Sequence, residues 1–203
     1  MIHPHTEIRF INDVVGYGVV ATKLIPKGTI TWVQDDLDRI YSAQEADLLS
    51  PLMKMHLETY CFTNSKGLKV LCWDHAKYVN HSFNPSCFTT AYDFEIAIRD
   101  IQPGEQLTDD YGYLNLEEPF EPLDEGSARK VVYPDDLLNY YKEWDQMISE
   151  KLPAIFSAHQ PMLPYVPEAT WSKFQKLQSD PSQMLSLLNC YFQHPGLTAT
   201  APL

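Results

Sequence analysis

The apolar residues of this chain change their spacing once, near Tyr113, and that change constrains the fold more than any other feature. Before it they come in short runs. Ile8, Phe10, Val14, Val19, Ile25, Ile30 and Val33 are interrupted at Gly16-Tyr17-Gly18 and Pro26-Lys27-Gly28, the pattern of strands joined by tight turns. Val70-Leu71-Cys72-Trp73 keeps that character, and a polar loop at Asn80 follows. Phe88 to Asp100 then reads as strand, turn and strand, with Glu95-Ile96-Ala97-Ile98-Arg99 alternating. Ile101-Gln102-Pro103-Gly104-Glu105 is a turn before a last short strand, Gln106-Leu107-Thr108. Within this framework Ser42-Ala43-Gln44-Glu45 has capping-box spacing, and Ser50-Pro51 offers a second start, so 43–58 reads as one or two short helices. After Tyr113 the spacing turns helical. Pro134 opens a predicted helix striped by Leu137, Tyr141, Trp144 and Ile148, and Asp180-Pro181 opens another carrying Met184, Leu185, Leu187, Leu188 and Tyr191. Pro195 to Leu203 reads as a frayed terminus. The expected class is mainly β (α+β).

Length and composition bound the rest. A chain of 203 residues holds one ordinary domain or a small domain with a lobe. With 44% hydrophobic and 12% aromatic residues it can bury a core, which excludes a disordered chain. No apolar run approaches a membrane span, and Met1-Ile2-His3-Pro4-His5 does not begin a secretory signal. A soluble protein, cytoplasmic or nuclear, is expected, with export by a route lacking that signal left open. The net charge is -12, and it is spread evenly: 15 acids and 9 bases up to Gly112, 12 and 6 beyond. Such a surface repels nucleic-acid phosphates and anionic membranes and attracts a basic peptide. Cys61, Cys72, Cys87 and Cys190 lack Cys-x-x-Cys spacing and read as reduced, mostly buried thiols.

Three segments carry candidate chemistry. Gly16-Tyr17-Gly18 lets the backbone turn and lets a ligand approach the main chain; without a following helix and third glycine it is not a dinucleotide loop. Asn80-His81-Ser82 brings amide and imidazole groups suited to an amino-acid head group or an adenine edge. Cys72, His75, His81 and Cys87 match no common closed zinc spacing, so no metal is expected. Asp109-Asp110-Tyr111-Gly112-Tyr113 holds two acids and two phenols. Adjacent acids in extended chain point apart, which argues against glycosidase chemistry, whereas Tyr111 and Tyr113 can line one channel.

Together and in this order, Gly16 to Gly28, Lys77-Tyr78-Val79-Asn80-His81-Ser82 and Ile101 to Tyr111 resemble the SET domain of protein-lysine methyltransferases. The resemblance spans Val15 to Tyr113 and departs from the family at two places. Phe83-Asn84-Pro85-Ser86 stands where Cys-x-Pro-Asn is common, and Asp109 stands where an apolar or aromatic residue is usual. It implies a SET-domain β-clip with a pseudoknot over residues 1–113, a helical insert at about 42–60, and a helical segment over 114–203 that closes the sites in place of a cysteine-rich zinc cluster. It also implies S-adenosylmethionine as cofactor, held by Gly16, Tyr17, Gly18, Tyr78, Asn80 and His81. Phe120, with Tyr133 as rival, would cover the adenine. Tyr111 would be the catalytic tyrosine and Tyr113 a wall of the lysine channel. The substrate would be a basic protein segment, a histone tail among the candidates, docking along the acids from Glu105 to Glu125 and a second patch at Asp35, Asp36 and Asp38. The competing readings are a catalytically silent reader or scaffold of the same shape and a zinc-binding interaction domain. Dimerisation through the C-terminal helices stays open.

Overall fold

The computed structural model describes residues 1–194, so the expectation for Pro195 to Leu203 lies outside the described residues. Its framework is a set of small sheets. Strands β1 (Thr6–Asn12) and β2 (Gly16–Ala21) form a hairpin, and β3 (Ile30–Val33) and β4 (Arg39–Tyr41) follow. The insert comes next, as α1 (Ala43–Asp47) and α2 (Pro51–Tyr60). Strands β5 (Cys61–Thr63) and β6 (Lys69–Leu71) then add to β4 in the order β4-β6-β5. After β7 (Asn80–His81), strands β8 (Cys87–Thr89) and β9 (Phe94–Ala97) join β3 in the order β3-β9-β8. The last strand, β10 (Thr108–Asp109), lies beside β7 in a parallel pair, Asn80 opposite Thr108 and His81 opposite Asp109. Two segments far apart in sequence thus meet through backbone pairing.

The insert forms where its caps dictate. The Ser42 hydroxyl accepts from the Glu45 amide at 3.2 Å while the Glu45 carboxylate accepts from the Ser42 amide at 2.8 Å. Ser50 accepts from the Met53 amide with Pro51 in the first turn. Neither helix is anchored by much burial: α1 buries nothing and α2 only Leu57.

Past Tyr113, α3 (Asp136–Ser149), α4 (Leu152–Ser157) and α5 (Glu168–Gln175) form the helical part. The predicted stripe on α3 holds: Leu137, Trp144 and Ile148 are buried and Tyr141 packs beside them. The helix expected from Asp180 does not form. Two short 3-10 turns, Pro181–Gln183 and Leu187–Cys190, stand there, separated by Met184 in an extended conformation. The reason is local: Asp180 accepts from the Ser182 amide and Ser186 from the Leu188 amide, and such side-chain bonds compete with helix propagation.

One core fuses the two parts. Ile30, Val33, Phe88, Phe94 and Ile96 from the sheet pack with Trp144, Ile148, Ile155 and Phe174 from the helices. A second cluster, around Val19, Ile25, Ala97, Ile101 and Leu107, lies under the hairpin. Gly28, at φ 85°, sits against α4 so closely that a Cβ there would fall 2.4 Å from the Ala154 backbone. Gln160 fastens the same junction, donating to the Gly28 and Ile155 carbonyls and accepting from the Ile30 amide, each at 2.8 Å.

Candidate active site

The β7–β10 pairing brings Asn80, His81 and Tyr111 together. Ser82 donates to the Asp109 carbonyl at 2.9 Å, and the Tyr111 amide donates to His81 Nδ1 at 3.1 Å. The Tyr111 hydroxyl donates to the Val79 carbonyl at 2.7 Å, one residue before Asn80. Burial pushes that phenol well above its usual range, with the Asp109 charge adding to it. His81 accepts at Nδ1, so its proton sits on Nε2, which is buried and has no hydrogen-bond partner. Burial lowers its pKa, against the pull of Asp110 and Glu125. The imidazole edge therefore stays neutral and offers an uncommitted donor.

The remaining predicted residues fall on both sides of this junction. Asn80 Nδ2 donates to the Tyr17 carbonyl and to Gln106 Oε1, both at 3.1 Å. A Cβ on Gly18 would lie 2.5 Å from Gln106 Oε1 and 2.7 Å from Asn80 Nδ2, so the close approach that glycine permits here is by the protein's own side chains. Gly16, at φ 77° with open space around it, serves the turn. Tyr17 is exposed and meets Tyr78 edge-on, ring centroids 6.5 Å apart. Phe120 packs against His81 at 5.8 Å and Tyr111 at 5.6 Å. Val132 bridges to Phe120 through two backbone hydrogen bonds, and the half-exposed Tyr133 follows it. Phe83 also stacks edge-on to His81, at 4.4 Å.

Tyr111 also borders a cavity of about 210 Å³, lined among others by Tyr113, Glu95, Asp109, Phe62 and Cys190. Tyr113 is buried, and its hydroxyl donates to Glu95 Oε1 at 3.4 Å. The two phenols share this cavity from a 3-10 turn, Tyr111–Tyr113, not from an extended strand. Asp109 faces it as well. Burial raises the Asp109 carboxyl to about 7 and Glu95 well above the usual carboxylate range, and the Asp109 charge raises Glu95 further. Sequence reasoning missed Glu95. Its place in the alternating run reads as an outward polar position, and only the folded structure, which puts it on the same cavity as Asp109, reveals what it faces. Asp110 points elsewhere, to an ion pair with Arg129, which also binds Asp136 at 2.5 Å and covers the Phe83 and Tyr140 rings. Among the described residues, no three or more His, Cys, Asp or Glu are grouped to hold a metal ion.

The predicted acidic strip is largely engaged. Glu105 pairs with Arg99, Glu117 with Lys69 and Asp124 with Lys130, while Glu125 accepts from Ser82 and the Phe83 amide. Asp109 and Asp110 are buried, which leaves Glu118 and Glu121 exposed. The run itself contains no base, but the fold brings bases to it from elsewhere.

Residues 16–112 match the family model of the SET domain. That stretch, just under half the chain, is a SET domain. A solved structure of a candidate histone methyltransferase from Plasmodium falciparum is similar at 18% identity and a TM-score of 0.40, over 54% of this chain and 95% of that one. No curated protein matches the chain significantly. The stretch matched by the SET domain runs from the hairpin turn to the 3-10 turn bearing Tyr111, and it encloses every predicted site residue except Tyr113 and Phe120. Among the described residues, no helix is long and apolar enough to cross a membrane.

Proposed function

We propose that this SET-domain chain is an S-adenosylmethionine-dependent protein-lysine methyltransferase acting on a basic protein segment, a histone tail among the candidates. The observation that carries the reading is the Tyr111 hydroxyl on the Val79 carbonyl. It ties the phenol to the segment that carries Asn80 and His81, while the same tyrosine borders the cavity it shares with Tyr113. Two features support cofactor binding at this segment: His81 Nε2 is a donor without a partner next to Phe120, and Asn80 bonds the carbonyl of Tyr17, whose ring meets Tyr78. Asn80, His81 and the Tyr17-Gly18 backbone would hold the cofactor, with Gly16 shaping the turn and Phe120, rather than Tyr133, over the adenine. When bound, S-adenosylmethionine supplies a methyl group on a sulfonium that is passed in line to an amine.

This chain's own residues do the positioning. Tyr111, its phenol raised far from neutral pH, orients the amine as a fixed dipole and does not remove a proton. Tyr113 walls the channel, and Cys190 closes part of it from the C-terminal side. The silent-scaffold alternative has one observation in its favour: Glu125 already occupies the Ser82 hydroxyl and the Phe83 amide beside His81.

The test is incubation with labelled S-adenosylmethionine and a mixture of basic proteins, alongside Tyr111→Phe. Transfer should fall on the order of 100-fold in the variant, while stability drops by only about 1 kcal/mol for one hydrogen bond. Cofactor binding by the parent without transfer to any of these proteins would instead support the scaffold.

A further inference from the structure

The cavity bordered by Tyr111 has one feature that the family resemblance leaves unexplained. Asp109 lines it in place of an apolar or aromatic residue, and Glu95 lines it too, close enough for the two carboxyls to interact. Asp109 is 6% exposed, and its Oδ1 is buried with no hydrogen-bond partner. The residue nevertheless borders the cavity, beside Glu95 and Tyr113, with which its carboxyl interacts. The lining is also strongly acidic. Glu58, Asp93, Glu95 and Asp109 all border the cavity, and Lys77 is the one base among the described lining residues. Its ammonium lies over the Tyr78 ring, 5.8 Å from the centroid.

We propose that the Glu95–Asp109 pair is the seat for the substrate's alkylammonium group, and that Asp109 takes a proton from it to release the neutral amine. Around the pair itself stand the Tyr111 and Tyr113 phenols, and burial raises both carboxyls, so two ionised carboxylates side by side there are disfavoured without a cation. In the empty cavity one proton is shared between them. An entering ammonium lets Asp109 ionise and becomes its counter-ion. In the proton step an N–H bond of the ammonium breaks, its electron pair stays on nitrogen, and an O–H bond forms on the Asp109 carboxylate at its cavity-facing oxygen. The amine goes from cation to neutral and Asp109 from anion to neutral, so net charge is conserved. At a buried carboxyl the neutral pair is closer in energy to the ion pair than it is in water. Asp109 titrates near 7, the range in which a base serves best at neutral pH. The other ionisable groups felt by the pair are Tyr111, Tyr113, Cys72, Cys87, Asp110 and the terminal amine. Burial pushes both phenols and both thiols upward, the terminal amine pairs with Asp35, and Arg129 compensates Asp110. Of the two carboxyls, Asp109 is the one raised to about 7, within the range from pH 5.5 to 8.

The proton role rests on the methyltransferase reading, whereas the seat does not, and the experiment separates them. Calorimetric titration of the full chain uses n-butylammonium, n-butylguanidinium and n-butanol as probes. Butylammonium should bind at least ~10-fold more tightly than butanol and more tightly than butylguanidinium, because a single ionised carboxylate serves a compact cation. Its affinity should rise about 10-fold from pH 5.5 to 8 as Asp109 ionises. Asp109→Asn should abolish that pH dependence, and Glu95→Gln should weaken binding while keeping it. Equal binding of butanol, tighter binding of butylguanidinium, or a wild-type affinity indifferent to pH overturns the seat. In the transfer assay the wild-type rate should rise through pH 7 and level off. Asp109→Asn should rise towards the amine's own pKa without that plateau. An unchanged pH profile in Asp109→Asn, or no transfer by wild type at any pH, overturns the proton role. In the latter case, retained butylammonium binding shows that the methyltransferase reading failed and the seat did not.

Discussion

Asp109 and Asp110 are neighbours in the chain with opposite surroundings. Asp110 caps the 3-10 turn through the Gly112 amide and shares Arg129 with Asp136, so its charge is compensated by a guanidinium held between aromatic rings. Asp109 has the cavity and Glu95, and burial dominates its titration. That difference has a stability consequence with a definite sign. The folded carboxyl titrates near 7 while an unfolded aspartate titrates near 3.9, so between those values the native state binds more protons than the unfolded chain. The stability Asp109 contributes is thus full below about pH 4 and lost as pH rises through about 7. An asparagine does not titrate. Thermal melts of Asp109→Asn beside wild type should show the variant gaining on the parent by about 1–3 kcal/mol between pH 4 and pH 8. A difference between the two proteins that stays constant with pH would mean Asp109 is ionised throughout.

The insert and the hairpin turns belong to the scale of elements, where most of the fold could be read from sequence. The capping box at Ser42, the proline start at Ser50 and the glycine turns act through nearby atoms, and each stands where its residues place it. Because α1 buries no residue, its cap is its main support. Ser42→Ala should cost about 0.5–2 kcal/mol locally. Hydrogen exchange should show it as faster amides in Ala43–Asp47 with the global melt unmoved. Two features could not be read this way. The apolar run after Asp180 has helical spacing, but Asp180 and Ser186 spend their side chains on local amides, and Leu187 is the one residue of the two turns that is buried. Helix α5 carries a single buried side chain, Phe174, and so presents no stripe. For the site, Asn80, His81 and Tyr111 are marked by their segments, whereas Phe120 is singled out only by the resemblance, with Tyr133 as rival. Their mutual contact, and the cavity that Glu95 and Asp109 share, depend on which segments the fold brings together, and no local pattern encodes that.

At the scale of the whole molecule the charge of -12 promises more peptide attraction than the surface delivers. Most acids from Glu105 to Glu125 are spoken for by Arg99, Lys69, Lys130, Arg129 or the Ser82–Phe83 backbone and hydroxyl. A basic peptide should therefore bind with a shallow salt dependence, losing roughly 3- to 10-fold in affinity between 0.05 and 0.5 M salt; fluorescence anisotropy with a labelled peptide measures it, and a flat response would remove the acidic face from recognition. The helical part, meanwhile, shares the core under β3, β8 and β9 with the sheet. Residues 1–113 produced alone would leave Ile30, Phe94 and Ile96 without half their packing and should aggregate during purification, whereas the full chain melts in one transition. Gly28 states the same dependence in a single atom. Its hydrogen is all that separates the hairpin-side loop from the α4 backbone, so even a methyl group there is a wedge, and a chain that drifted to alanine at this position would lose its grip on the lobe that walls its own channel.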